Sequence, residues 1–327
     1  LEDEPQARRK GMMLNMNIVD KKFNELVNKI KNMTTDEIFV NIQNGFHHIH
    51  PDTKKSLENY FNKFGYWGAL DITNNNYAEL YYKAQTLNEH INDFIWLYNK
   101  LNDYTSKKIL FAILNNWYQY DFSTLKECMN NPFKHYFDLD LIPNSDFEVF
   151  VDLGAYTGDT ALDFINTYNN YKKIYCYEIT KETTAILKNT LSNFDNIVYK
   201  NKAVLDKNQI LYLKESSINA SANQVGEIGT TEVEAVTLDD DVLERIDILK
   251  MDIEGSEYQA LLGAKNHIKN DTPKLLISVY HNNDDLWRIP ILIEEYNKDY
   301  NYYLRYYGNN VYPTEIVLIC IPKPRKY

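Results

Sequence analysis

The ten residues Val151–Thr160, reading VDLGAYTGDT, decide the fold of this 327-residue chain. They end a short β-rich run, Glu148–Leu153, and lead into a stretch of helical character, Thr160–Tyr168. Strand, tight turn and helix are expected in that order. Gly154 has no Cβ, so the chain turns sharply there and a ligand can approach the backbone. Gly158 lets the next helix start close to the sheet, with its first N–H groups pointing at the ligand. Asp152 stands at the strand end. The spacing Gly154-x-x-x-Gly158 departs from the dinucleotide fingerprint G-x-G-x-x-G. An ordinary strand–turn–helix with two glycines is the plainer alternative.

The same alternation repeats downstream. Lys173–Tyr177 reads as a strand, Lys181–Leu191 as a helix and Ile197–Val204 as a third strand. Gln209–Leu213 and Glu232–Thr237 alternate like an antiparallel pair across a polar, Gly-containing loop. Ile246–Met251 is a buried strand, followed by a helix over Glu257–Ile268 and a strand over Lys274–Val279. Pro290 fits the first turn of a further helix, where its missing N–H costs nothing. Tyr302–Tyr306 and Glu315–Ile321, joined by a Gly-Asn-Asn loop, are expected to form an antiparallel hairpin at one edge. Strands alternating with helices give an α/β fold, a mainly parallel Rossmann-like sheet with helices on both faces.

Residues 12–142 read as a separate helical domain ahead of this α/β domain at 143–327. Phe23, Leu26, Val27 and Ile30 fall on one helix face, as do Ile91, Phe94, Ile95 and Tyr98, and Leu110, Ile113, Leu114 and Trp117. Such stripes are core. Asn44–Pro51 and Asp71–Asn76 read as loops. Tyr66, Trp67, Tyr81 and Tyr82 could stack on a sugar face, with helix packing the blander reading. The helical part is expected either to cap an acceptor site or to mediate a homodimer. Leu1–Gly11 lacks the apolar stretch of a secretory signal. It is read as a leftover of recombinant expression or a disordered lead.

Composition narrows the partners. A 44% apolar, 25% charged chain can bury a full core. A net charge of −11 repels phosphate backbones, so nucleic acid and anionic membrane are not expected partners. No apolar run approaches the roughly 20 residues of a membrane helix. Cys128, Cys176 and Cys320 match no zinc spacing and leave an odd count for disulfides. Buried thiols in a reducing cytoplasm are expected.

Three further stretches carry chemistry. Glu178 ends the second strand, where an acidic residue accepts ribose hydroxyls. A solvent-facing glutamate is the alternative. In LKMDIEGSEYQALLGA (Leu249–Ala264) an apolar strand delivers Asp252 and Glu254 to its C-terminal end, and Gly255 makes the turn. Ser256 with Gln259 reads as a capping box opening the next helix. Two such carboxylates need a partner if buried: Lys250, a metal ion or a cationic ligand. His281 follows the strand at Lys274–Val279, so its neutral ring could take a proton from a hydroxyl near pH 7. His47, His48 and His50 have no carboxylate or cysteine at tight spacing and read as surface residues.

The order VDLGAYTGDT, YCYE, VTLDD, DILKMDIEGSEYQALLGA, SVYHNNDDLWRIP, YYLRYYGNN and EIVLICIP resembles the FkbM family of S-adenosylmethionine-dependent methyltransferases, over about Phe147 to Pro322. The K-x-D-x-E-G-x-E core at Lys250, Asp252, Glu254, Gly255 and Glu257 is specific to that family. The D-x-G-x-x-x-G turn is typical of class I methyltransferases generally. The resemblance implies S-adenosylmethionine as cofactor, S-adenosylhomocysteine as its product, and O-methylation of a sugar, polysaccharide unit or natural product. It implies that Asp152, Gly154, Ala155, Tyr156, Gly158, Asp159 and Thr160 bind the cofactor, together with Glu178, Ala203, Val204 and Asp252. His281, Asp252 and Glu254 are the expected catalytic residues. No metal is expected, although a variant has a divalent ion on the carboxylates polarising the hydroxyl. A catalytically silent cofactor-binding scaffold is the alternative from another class. A nicotinamide-dependent oxidoreductase fits the sheet but not the glycine spacing.

Overall fold

Apolar residues three and four apart make the first part of the chain helical. The structure, a computed structural model, describes residues 16–63, 80–129, 132–143, 147–214, 223–229, 231–309 and 311–324. The reading of Leu1–Gly11, the loop at Asp71–Asn76 and the aromatics Tyr66 and Trp67 lie outside them. Among the described residues the helical part comprises α1 (Ile18–Ile30), α2 (Thr35–His47), α3 (Pro51–Lys63), α4 (Leu80–Glu89), α5 (Ile91–Lys100), α6 (Tyr104–Gln119) and α7 (Ser123–Glu127). Helix α1 buries Phe23, Leu26, Val27 and Ile30, the stripe expected of it. Helix α2 opens on a capping box of Thr34 and Glu37. The loop expected at Asn44–Pro51 shrinks to His48–His50. Phe46, in the tail of α2, is buried, and Gly45 lies so near the Gln119 backbone that a Cβ would come within 2.2 Å of its oxygen. No helix among the described residues is long and apolar enough to cross a membrane.

The chain divides into two units, residues 1–99, 103–128 and 310–312, and residues 100–102, 129–309 and 313–327. The boundary expected after residue 142 therefore moves back to Cys128. Residues 129–142 go with the sheet because Tyr136, Phe137 and Ile142 pack into the aromatic core of Phe147, Phe150, Phe164 and Tyr168.

The sheet unit contains β1 (Phe147–Leu153), α8 (Asp159–Tyr168), β2 (Tyr171–Tyr177), α9 (Lys181–Thr190), β3 (Ile197–Lys200), β4 (Ala203–Val204), β5 (Gln209–Lys214), β6 (Gln224–Gly226) and β7 (Glu232–Val236). After them come α10 (Leu238–Asp241), β8 (Ile248–Met251), α11 (Glu257–Leu262), α12 (Lys265–Asn270), β9 (Lys274–Ser278), α13 (Asp285–Tyr296), β10 (Tyr300–Tyr306) and β11 (Ile316–Pro322). Seven strands form one sheet in the order β10-β11-β9-β8-β1-β2-β3. Strand β11 runs antiparallel to both neighbours. Strands β1 and β8 bury nearly every residue, the signature of a sheet covered on both faces.

Four expectations change. The strand expected over Ile197–Val204 is two strands: β3 pairs with β2, whereas β4 joins a second sheet, β4-β7-β5-β6. The helix expected over Glu257–Ile268 breaks at Gly263, where a Cβ would lie 1.9 Å from the Leu205 carbonyl oxygen. The capping box of Ser256 and Gln259 does not form. The Glu257 carboxylate accepts instead from the backbone of Ile253 and Gly255, at 2.8 and 3.0 Å. Pro290 lies inside α13, not in its first turn. The buried face of Leu286, Ile289 and Ile293 carries the helix across the one hydrogen bond that proline removes. The closing hairpin does form, but β11 is inserted between β9 and β10, so of its two strands β10 alone lies at an edge of the sheet.

Candidate active site

Strand β1 has β2 on one side and β8 on the other, so the chain order reverses between them. Such a switch point leaves a crevice beyond the C-terminal strand ends. A cleft of about 170 Å³ opens there. Gly154, Tyr156, Asp159 and Thr160 line it after β1, and Glu178 and Ile179 after β2. Lys202–Leu205, Asn223–Val225, Lys250 and Asp252–Glu254 complete the wall. Gly154 has φ +79°, and a Cβ there would lie 1.9 Å from the Asp252 carbonyl oxygen. Its N–H and that of Ala155 both donate to Tyr177 O, at 3.1 and 2.9 Å, which ties the turn to the end of β2. Tyr156 and Glu254 also take left-handed backbone, at φ 44° and 55°. Such conformations cost energy in residues with a Cβ and cluster at functional sites.

Seven of the expected cofactor residues besides Asp252 line this cleft: Gly154, Tyr156, Asp159, Thr160, Glu178, Ala203 and Val204. Three do not. Ala155 is buried behind the turn. Gly158, the N-cap of α8, would place a Cβ 2.9 Å from Leu187, so it lets α8 approach α9 and not the sheet. Asp152 is wholly buried and its Oδ1 lies 2.9 Å from Lys250 Nζ. Pairing of β1 with β8 puts these two residues side by side. Lys250 also donates to Gly154 O at 2.9 Å. Burial pulls its pKa down, but Asp152 and Asp252 outweigh burial and hold the ammonium charged. Glu178 accepts from Thr180 N and Oγ1 at 2.9 and 3.1 Å, and burial raises its pKa in spite of them.

Asp252, Glu254 and His281 do come together. His281 Nε2 lies 3.4 Å from Asp252 Oδ1 and 3.6 Å from Glu254 Oε2, and Nδ1 lies 2.9 Å from Glu257 Oε1. Burial alone would lower the pKa of this ring. Glu257, Glu254 and Asp252 raise it to about 10. The neutral proton acceptor expected at His281 is therefore corrected: with nothing else bound, the ring is an imidazolium. Burial pushes Glu254 up to about 7. Asp252 stays below its ordinary value, because His281, Lys250 and the Tyr136 hydroxyl offset its burial. That hydroxyl donates to Asp252 Oδ2 at 2.6 Å.

Sequence reasoning missed Tyr136, which sits in a stretch assigned to the helical part and carries no motif. It also missed the orienting role of Glu257, although that residue belongs to the recognised core. Gln224, whose side chain donates to Glu254 O at 2.6 Å, gave no signal either. His47, His48 and His50 are exposed, as expected. Cys128, Cys176 and Cys320 are free thiols, the last two buried.

Comparison with known proteins gives the same direction. The methyltransferase FkbM domain matches residues 152–311. A solved structure of methyltransferase FkbM from Methylobacillus flagellatus KT is similar, with TM-score 0.62 and 23% identity. The match covers 73% of this chain and 62% of that one, so this chain spans under two thirds of its length. Aeropyrum pernix fibrillarin, solved with natively bound S-adenosyl-L-methionine, is a remote match at TM-score 0.37 and 9% identity, covering 60% of this chain and 72% of that one. The precorrin-6y C5,15-methyltransferase of Geobacter metallireducens GS-15 stands at 0.34 and 13%, covering 56% and 84%. No curated protein matches the chain.

Proposed function

From the premise that this chain belongs to the FkbM methyltransferase family through residues 152–311, we propose that it transfers a methyl group from S-adenosylmethionine to a hydroxyl of a sugar, polysaccharide unit or natural product. The observation that carries this reading is that Asp252 and Glu254 belong both to the cleft and to the His281 cluster. The cleft suits that methyl donor. Gly154 lets the turn pass against the Asp252 backbone, where a Cβ would lie 1.9 Å from the carbonyl oxygen. Glu178 offers a carboxylate at the strand end where ribose hydroxyls are accepted. Ala203, Val204 and Leu205 offer an apolar wall to a base. When bound, S-adenosylmethionine supplies an activated methyl group on a sulfonium, which departs as a neutral thioether.

The chain's own tasks are then alignment and proton removal. The acceptor hydroxyl gives its proton to a carboxylate of Asp252 or Glu254, beside the His281 imidazolium, as its oxygen forms the new O–C bond. Calorimetric titration of the full chain with S-adenosylmethionine, followed by transfer from a tritiated donor to a panel of glycans and hydroxylated natural products, tests this. Saturable binding and a labelled, hydroxyl-linked product are expected. Binding of NAD without binding of S-adenosylmethionine would overturn the reading in favour of an oxidoreductase. Tight cofactor binding with no transfer to any acceptor would leave a cofactor-binding scaffold.

A further inference from the structure

The side chains around His281 carry more negative charge than the chain balances locally. Asp252, Glu254 and Glu257 face the ring, and Glu315 stands nearby under the Tyr280 hydroxyl at 3.3 Å. Lys250 is engaged by Asp152 at 2.9 Å, and Arg288 by Asp285 at 2.7 Å. Among the described residues the remaining basic groups at the cluster are His281 itself and His135, whose Nε2 lies 3.8 Å from Glu315.

Donor atoms converge as well. His281 Nε2, Asp252 and Glu254 each place a ligand atom within 4.8 Å of the other two. The His281 side chain is 4% exposed, yet its Nε2, aimed at the two carboxylates, makes no hydrogen bond to any described residue. Asp252 Oδ1 makes none either. Buried polar atoms left this way are costly unless something occupies the space they face. The opposite ring nitrogen lies at ion-pair distance, 2.9 Å, from Glu257, without hydrogen-bond alignment, and Glu257 is wholly buried and fixed by the N–H groups of Ile253 and Gly255. A carboxylate on one imidazole nitrogen is the device that orients a metal-binding histidine and fixes its tautomer.

We propose that Asp252, Glu254 and His281 Nε2 bind a first-row divalent transition-metal ion at the wall of the cleft. Bonds of about 2.1 Å in a tetrahedral site set neighbouring donors about 3.4 Å apart. The two spacings from Nε2, 3.4 and 3.6 Å, already meet that value. The Glu254 side chain, 25% exposed, has room to turn and narrow the third. A nitrogen beside two oxygens selects Zn²⁺, Fe²⁺ or Mn²⁺ over Ca²⁺ and Mg²⁺, which take all-oxygen sets. The remaining coordination position would take an acceptor hydroxyl and lower its pKa, as metals do for water. That use, unlike the site itself, rests on the methyltransferase reading.

The test is Mn²⁺ and Zn²⁺ binding to the full chain after chelation, by calorimetry, with pulsed electron paramagnetic resonance on the Mn²⁺ complex. One ion per chain and ¹⁴N modulation from a coordinated imidazole are expected. His281→Gln and Glu254→Gln should each weaken binding at least tenfold, with circular dichroism melts confirming that the variants fold. The resonance measurement on the unaltered chain decides the matter should either variant fail to fold. No bound Mn²⁺ or Zn²⁺ overturns the site. So does Mn²⁺ binding without ¹⁴N modulation, which would place the ion on carboxylates elsewhere. S-adenosylhomocysteine binding, measured on the same samples, separates the two failures. Its retention without metal binding overturns only this site, and its loss overturns only the methyltransferase reading.

Discussion

Asp152 and Asp252 look alike in the sequence at the ends of neighbouring strands' apolar runs. Each follows an apolar run, and each stands two or three residues before a glycine, in VDLG and MDIEG. Their fates differ. Asp152 is 0% exposed and closed off by Lys250, which the strand register sets beside it. Asp252 stands one residue past β8, with one oxygen held by Tyr136 and the other without a hydrogen bond among the described residues, 3.4 Å from His281 Nε2. A carboxylate whose countercharge arrives by sheet register becomes part of the frame. One placed past the last pairing keeps an oxygen for chemistry.

Removing Lys250 should break the closed side with the largest effect. Lys250→Met leaves Asp152 buried without its countercharge or water, which costs about 3–5 kcal/mol. Adding Asp152→Leu should restore most of that loss, since an apolar pair of similar volume is often neutral. Urea melts of the single and double variants check both arms. A loss below about 1 kcal/mol in the single variant would mean that Asp152 is not closed.

Asp252→Asn probes the open side. The Tyr136 hydroxyl keeps an oxygen to donate to, so the melt should stay near that of the unaltered chain. Transfer from labelled S-adenosylmethionine should drop about 100-fold, the lower end of what a positioned acid or base contributes. A melt as damaged as that of Lys250→Met would erase the distinction between the two aspartates. Gly154→Ala comes next in size. The left-handed φ costs a side chain about 1–2 kcal/mol, and the Cβ meets Asp252 O at 1.9 Å. Calorimetry should show at least tenfold weaker cofactor binding, and unchanged affinity would mean that the turn does not shape the cleft.

Sequence carried the closed side's position but not its closure. Apolar runs marked β1, β8 and β9, and glycine spacing marked the turn, because both signals are local. The partner of Asp152 depends on which residue of β8 lies opposite, and no local pattern encodes register. Tyr136 reaches Asp252 across 116 residues of chain. The division of Ile197–Val204 into two strands follows from pairing with β2 and β7, elements that lie on either side of it in sequence. His281 was legible as a strand-end residue. Its charge was not, because Asp252, Glu254 and Glu257 converge on it only through the turn after β8.

His135 gives the finest probe of the open side. Its ring lies flat on Tyr136, centroids 4.0 Å apart at 5°. Burial pulls its pKa from an ordinary 6.5 to about 4, against the pull of Asp252. As the pH falls through about 6.5 the unfolded chain takes up this proton, while the folded chain resists until about 4. Stability from this residue is therefore lost on acidification across that window. Glu315, pushed up by burial to about 7, works in the opposite sense, since its folded form takes a proton first. Comparison with His135→Phe isolates the histidine. Urea midpoints at pH 7.5, 6 and 5 should fall faster for the unaltered chain than for the variant. Water reaches 34% of the side chain and screens it, so the effect should be the smallest of the four. A constant difference across those pH values would mean that the ring is solvated and forms no part of the wall beside Asp252.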